Sequence, residues 1–263
     1  MKSYLKNKLK ESNLFIFLLT KIRLIYRHLN SQSNESDILN KLLTWHSAIP
    51  KTFVEIGFGA WEFNCIKLAN DKSKSWEGLL IDGDEYQVKM AKNIYHKKIS
   101  PQNIWLTLEN LDPIYEFTKD KDLGVLSIDI DGNDFWFLKK LVKLKPAIIV
   151  IEYNSKFGQR MISVPYEKDF DRTKKHNSCA YFGASLKAFS FLLKKENYSL
   201  MEISSLGNNA FYLRNDLLVD ADIPLDPAYS YRESFFNNSE KRYLEYWEEI
   251  KDMDYVEINE EIL

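Results

Sequence analysis

Short apolar runs alternate with amphipathic stretches of about ten residues through most of this chain. Residues 38–45 repeat apolar positions at helical spacing, and Pro50 lies just beyond them. Thr52-Phe53-Val54-Glu55-Ile56 is a short, nearly continuous apolar run, the pattern of a buried strand. The alternation continues with a helix over 61–69, a strand over 76–81, a helix over 85–96, a strand over 103–108 and a helix over 111–118. A strand over 124–130, a helix over 135–144 and a strand over 147–151 follow. Residues 155–180 form a long connection, of a length that is usually functional or mobile. After a helix over 185–196, strands over 198–203 and 210–214 have no helix between them, so they form an antiparallel hairpin at one edge. The pattern predicts an α/β fold: a doubly wound, mostly parallel seven-stranded sheet with an antiparallel edge hairpin. Ligands in such sheets bind at the carboxyl ends of the strands.

Composition adds limits. The chain has 263 residues, 45% of them apolar, enough for one sizeable core. A net charge of -2 implies no global attraction to nucleic acid. The charge is uneven, and it divides the chain into a basic segment (1–36), a central domain (37–216) and an acidic extension (217–263) with one helix over 240–250. In the first segment, Leu14 to Leu19 is too short to span a membrane, and Lys21-Ile22-Arg23 is not a signal-peptidase site. Leu14, Leu18, Ile22, Ile25 and Leu29 share one helical face, with Arg23 and Arg27 opposite. Such a helix packs on its own domain, packs on a second subunit, or lies on an anionic membrane surface through residues 1–30. Residues 31–36 are the expected linker. Cys65 and Cys179 have no metal spacing and form no disulfide framework, which fits a reducing cytoplasm, with the inner membrane surface as the alternative location.

Candidate chemistry gathers where the strands end. Val54-Glu55-Ile56-Gly57-Phe58-Gly59-Ala60 places glycines after a strand, where a nucleotide-like ligand can approach the backbone. A dinucleotide fingerprint needs a third glycine where the chain has Glu62. A carboxylate there repels a pyrophosphate but tolerates a cationic sulfonium. The same two glycines also suit a tight turn with no ligand. Asp82-Gly83-Asp84 closes the next strand, with Asp82 placed for ribose hydroxyls and Asp84 for a helix cap. Asp129-Ile130-Asp131-Gly132-Asn133-Asp134 ends a third, and Glu152-Tyr153-Asn154 a fourth. Unpaired acids are costly inside a sheet, so both clusters belong at its rim.

The order Val-Glu-Ile-Gly-Phe-Gly, Ile-Asp-Gly-Asp and an acid-closed fourth strand resembles the class I S-adenosylmethionine-dependent methyltransferases. Ser127-Ile128-Asp129-Ile130-Asp131-Gly132, Leu138 and the Lys145-Pro146-led strand ending in Glu152 are similar to their FkbM-like group. The resemblance covers residues 50–215. It implies the Rossmann-like methyltransferase fold and O-methylation of sugars or natural products, often in polysaccharide biosynthesis. It also implies a cofactor site framed by Glu55, Gly57, Phe58, Gly59, Asp82, Gly83 and Asp129. The chain departs from the group at Asp131, where Glu is usual, at Asn133-Asp134, and at Trp61, which replaces a glycine.

Two devices for activating an acceptor hydroxyl follow from the residues. Asp129 and Asp131 share a face if the strand continues through them, and Asp131, Glu152 and Asn154 then converge as oxygen ligands for Mg2+ or Mn2+. Otherwise Asp129 contacts the cofactor, Asp131 and Asp134 cap the following helix, and Glu152 pairs with a base. In the functional reading Asp131 faces a metal or, as a catalytic group, the acceptor itself. The 155–180 connection carries Lys156, Arg160, Tyr166, Lys168, Arg172, Lys174, Lys175 and His176. Its bases suit a phosphate or nucleotide handle on a sugar substrate, and His176 is the candidate general base. Two other classes stay open: a nicotinamide-dependent oxidoreductase on the same fold, and a non-catalytic membrane-tethered scaffold.

Overall fold

The structure is a computed structural model that describes residues 16, 17, 20, 31–230 and 240–263. The amphipathic helix expected over 14–29 therefore lies largely outside the described residues. Of that segment, Ile16 and Thr20 are buried.

Helix α1 (Glu35–Trp45) leads into strand β1 (Thr52–Ile56), a short α2 (Ile66–Ala69), β2 (Glu77–Asp82) and α3 (Glu85–Ile94). Strand β3 (Ile99–Asn103), α4 (Asp112–Thr118), β4 (Val125–Ile128), α5 (Asp134–Leu141) and β5 (Ile148–Glu152) complete the parallel part. A strap with the two-residue β6 (Ile162–Ser163) and α6 (Arg172–Lys175) precedes α7 (Leu186–Lys195), β7 (Tyr198–Ile203) and β8 (Asn209–Arg214). The chain ends in α8 (Pro227–Ser230), α9 (Glu240–Ile250) and β9 (Val256–Glu257).

The seven strands run in the order β3-β2-β1-β4-β5-β8-β7, with β8 antiparallel to both neighbours and β1 to β5 parallel. This is the doubly wound sheet with a closing antiparallel hairpin that the periodicity predicts. The order turns at β1 and β4, whose carboxyl ends open a crevice for a ligand. Strands β1, β4 and β5 are buried along both faces, so each reads as an apolar run with little alternation. One apolar cluster includes Val54, Leu126 and Ile149 with Phe135 and Phe189; the other includes Phe53, Leu80 and Val150 with Leu39 and Met90.

Three expected elements differ. The helix over 61–69 shrinks to one turn, because Gly59 and Glu62 bond each other's backbone across a tight turn. The third strand occupies Ile99–Asn103 rather than 103–108. It is an edge strand, where Pro101 is tolerated. The apolar Ile104, Trp105 and Leu106 lie past its end and line the cleft. The fourth strand stops at Ile128, so the acids that follow belong to a loop.

The expected linker is packed: Ser205 N–H donates to Asn34 Oδ1 (2.7 Å) and Asn208 Nδ2 to Gln32 Oε1 (2.7 Å), at the β7–β8 turn. The acidic end of the chain folds onto the strap. Strand β9 pairs with β6, and Ile250, Trp247 and Tyr255 join Phe157, Phe170, Tyr181 and Phe182 in a third apolar cluster. Among the described residues no helix is long and apolar enough to cross a membrane.

Candidate active site

The carboxyl ends of β1, β2, β4 and β5, closed on one side by the strap, enclose a cleft of about 750 Å³. That volume is typical of a small-molecule site.

Its first wall is the loop after β1. Gly57 adopts φ +81°, and a methyl group on it would lie 1.8 Å from the Asp129 carbonyl oxygen. The glycine is thus required by the approach of the β1 and β4 ends. The loop's donors are all engaged within the protein. Gly57 N–H donates to Ile81 O (2.9 Å), Phe58 N–H to Asp82 Oδ2 (3.1 Å), Gly59 N–H to Glu62 O (3.2 Å) and Ala60 N–H to Gln87 Oε1 (2.9 Å).

Glu55 lines the cleft but faces inward. Its carboxylate accepts from Asn64 N–H (3.2 Å), Cys65 N–H (3.0 Å) and the Ser127 hydroxyl (2.9 Å), which orders the turn leading into α2. Burial pushes its pKa up to about 7 against the pull of those donors. Glu55, expected at the cofactor, thus lines the cleft while its carboxylate is engaged by these three donors. Asp82 stays at the cleft. Its Oδ2 takes Phe58 N–H and its Oδ1 takes Asp84 N–H, and each oxygen keeps a further lone pair for a ligand hydroxyl. Partial burial raises its pKa. Asp84 caps α3, accepting from Tyr86 and Gln87 N–H. Gly83 lets the half-exposed Trp105 indole lie against the backbone, since a Cβ there would come within 2.7 Å of the ring.

The floor is acidic. Because Ile128 pairs with Ile151, the next residues, Asp129 and Glu152, stand side by side at the strand ends. Desolvation first, then the charges of Asp131, Asp134 and Glu55, raise the pKa of Asp129 well above the ordinary range. Desolvation and then the charges of Asp129, Asp131 and Asp134 do the same for Glu152, and the Arg172 charge pulls it down by less. Glu152 Oε2 is buried with no hydrogen-bond partner in the described protein.

The loop beyond departs from the alternation expected of a strand. Asp131 is left-handed (φ +54°) and its carboxylate pairs with Arg172 of the strap. Asp134, expected as a helix cap, is buried at the start of α5 and accepts from Ile130 N–H (3.0 Å) and Gly132 N–H (2.8 Å). It thus holds the loop that presents Asp131. Burial raises its pKa to about 6.

The expected metal set of Asp131, Glu152 and Asn154 is not assembled. Asn154 is buried; its Nδ2 donates to Ala180 O (2.8 Å) and Phe182 O (2.9 Å), and its Oδ1 accepts Lys156 N–H (3.0 Å). No oxygen of it faces the cleft with Asp131. Among the described residues no cluster of three or more His, Cys, Asp or Glu side chains has the geometry of a metal site.

His176, expected as the general base, is not part of the cleft lining. Its Nδ1 accepts Ser178 N–H (3.2 Å) and lies 2.8 Å from the Ser178 hydroxyl, so the ring shapes the turn after α6. Of the eight strap residues singled out in the sequence, Lys156 and Arg172 reach the cleft. Lys174 pairs with Asp171 and Lys175 with Glu167, Arg160 stacks on Trp247, and the Tyr166 hydroxyl accepts Leu108 N–H. The strap is fastened by Asn133, whose side chain exchanges two bonds with the Glu167 backbone, and by Trp136 Nε1 donating to Val164 O (2.9 Å). Several cleft residues escaped sequence reasoning. Trp105 lay in an expected strand, Tyr246 comes from α9 in the acidic tail, and Phe182 sits beyond the long connection.

Comparison with known proteins gives structural neighbours alone: no family model and no curated protein sequence matches the chain. A Klebsiella pneumoniae protein assigned as an O-methyltransferase aligns with 78% of this chain and 90% of its own, at 12% identity and a TM-score of 0.47. An O-methyltransferase from Bacillus cereus in complex with SAH aligns over 77% and 90%, at 14% identity and a TM-score of 0.44. A Staphylococcus aureus protein assigned as a caffeoyl-CoA O-methyltransferase aligns over 81% and 98%, at 13% identity and a TM-score of 0.45.

Proposed function

We propose that this protein is an S-adenosylmethionine-dependent methyltransferase acting on a hydroxyl of a sugar or nucleotide-sugar precursor. The observation that carries the cofactor class is the loop after β1. A pyrophosphate cofactor is gripped by free backbone N–H groups at the start of a helix. Here the four N–H groups of residues 57–60 are bonded within the protein, and the one-turn α2 begins only at Ile66. Glu62 stands exposed on the same rim. This wall disfavours a nicotinamide dinucleotide and suits a cation. The acceptor class rests on the sequence resemblance over residues 127–152.

When bound, S-adenosylmethionine would supply a methyl carbon on a sulfonium. Asp82 would hold the ribose hydroxyls, and Trp105 offers a flat apolar face at the same rim for the adenine. The remaining task is the acceptor's proton. Holding one proton, the adjacent Asp129 and Glu152 would keep one negative charge, and burial raises both pKa values above the ordinary carboxylate range, as a general base near neutral pH requires. Glu152 Oε2, the oxygen without a partner, is the atom that would receive the acceptor's hydrogen bond. The protein also aligns the two reactants, the larger share of the acceleration in a displacement of this kind.

Calorimetric titration with S-adenosylhomocysteine is the direct check. The wild-type chain should bind it, and Asp82→Asn, which turns an acceptor into a donor toward the ribose, should weaken binding by about tenfold or more, ~1.4 kcal/mol. A chain that ignores this ligand and binds NADH would overturn the assignment.

A further inference from the structure

The strap wall of the cleft is built unlike the rest of the site. Around an otherwise acidic floor, Lys156 and Arg172 both line the cleft, and both rest on one ring: the Phe182 centroid is 5.6 Å from Lys156 Nζ and 4.5 Å from Arg172 Cζ. Lys156 Nζ is also 5.6 Å from the Tyr246 ring, which α9 brings to the cleft. Aromatic faces hold cations in place without neutralising them. The backbone supports the same arrangement. Lys156 lies in the turn that Asn154 caps, and that Asn154 side chain also fixes the Phe182 carbonyl, so the cation and the ring it rests on share one anchor. The Arg172 partner is Asp131, and both side chains of the pair are substantially open to solvent. An exposed pair of this kind is weak and readily exchanged.

We propose that this corner is an anion site of the methyl acceptor: a phosphoryl group on the substrate binds Arg172 and Lys156 and replaces Asp131 as the partner of Arg172. A planar guanidinium beside an ammonium matches a doubly charged phosphoryl group better than a single carboxylate, because the fork takes two oxygens and the lysine a third. The displaced Asp131 remains at the cleft, on the loop that Asp134 holds. The proposal rests on the cleft's being a transferase site, with the cofactor against β1 and β2 and the acceptor against the strap.

The test is titration of the full chain with inorganic pyrophosphate at fixed ionic strength, with S-adenosylhomocysteine binding measured on the same preparations. Wild type should bind one pyrophosphate. Arg172→Gln and Lys156→Gln should each weaken binding at least tenfold. Asp131→Asn, a residue that tolerates the left-handed backbone there, should tighten it at least threefold, a gain that a purely structural role for Asp131 does not produce. Pyrophosphate binding that is absent from both wild type and Asp131→Asn, or unchanged by Arg172→Gln, overturns the anion site. Malonate binding as tightly as pyrophosphate overturns the phosphoryl assignment. Loss of S-adenosylhomocysteine binding alone, with the pyrophosphate pattern as expected, overturns the methyltransferase reading and leaves the anion site standing.

Discussion

At Gly57 a single methyl group would overlap the backbone, and at Gly59 it would only press on it. The first would lie 1.8 Å from Asp129 O on a residue with φ +81°; the second would meet Glu62 O at 3.2 Å on an ordinary backbone. Gly57→Ala should therefore cost roughly 2–4 kcal/mol, from left-handed strain and displacement of the β4 end together. Gly59→Ala should cost under about 1 kcal/mol. Urea midpoints of the two variants check this, and equal losses would refute it. Both glycines were visible in the sequence, but what separates them is a contact 72 residues away, which no local pattern encodes. The acids show the same limit. Alternation predicts Asp129 and Asp131 on one face; β4 ends at Ile128, Asp131 turns left-handed, and Asp129 takes the place beside Glu152.

Among the elements, the buried strands were legible because β1, β4 and β5 carry nearly continuous apolar runs bounded by turns. The strap was not, because its order comes from partners far along the chain. Asn154 illustrates this. Three acids and an amide at adjacent strand ends suggest ligands, yet the amide joins the end of β5 to the strap carbonyls at 180 and 182. Asn154→Ala removes a partner from two buried carbonyls and one N–H, each worth about 1 kcal/mol or more when left unpaired. We expect a loss of roughly 2–4 kcal/mol in urea unfolding and faster hydrogen exchange across 180–182. A variant as stable as wild type would return Asn154 to the list of cleft ligands. The same reasoning accounts for His176. A histidine in a basic loop looks catalytic by type, but Nδ1 is held by Ser178 two residues on, and the ring closes a turn.

On the scale of the molecule, the sheet presents its carboxylates at one end and buries several of them, so stability should depend on pH in a definite sense. Burial raises Glu55 from 4.5 to about 7 and Asp134 from 3.8 to about 6, and it raises Asp129 and Glu152 as well. An acid whose pKa is raised on folding holds its proton more tightly in the folded state. Its contribution is complete below the unfolded pKa and is lost as pH rises through the folded one. Exposed carboxylates act oppositely: Asp71, Glu77, Asp171 and Asp216 are lowered by hydroxyl or cationic partners, and their contributions fade only below the usual carboxylate range. The two sets together place maximum stability in mildly acid solution, near the point where the exposed acids are ionised and the buried ones still protonated. For Glu55 the shift is worth on the order of 2 kcal/mol between pH 5 and pH 8. Glu55→Gln is uncharged at every pH, but an NH2 replaces one of the two accepting oxygens and cannot take the Asn64, Cys65 or Ser127 donors. It should therefore be less stable than wild type at pH 5, and it should lose less stability toward pH 8 by about that amount. Urea titrations of both proteins across this interval measure the difference, and parallel profiles would show that Glu55 is ionised throughout.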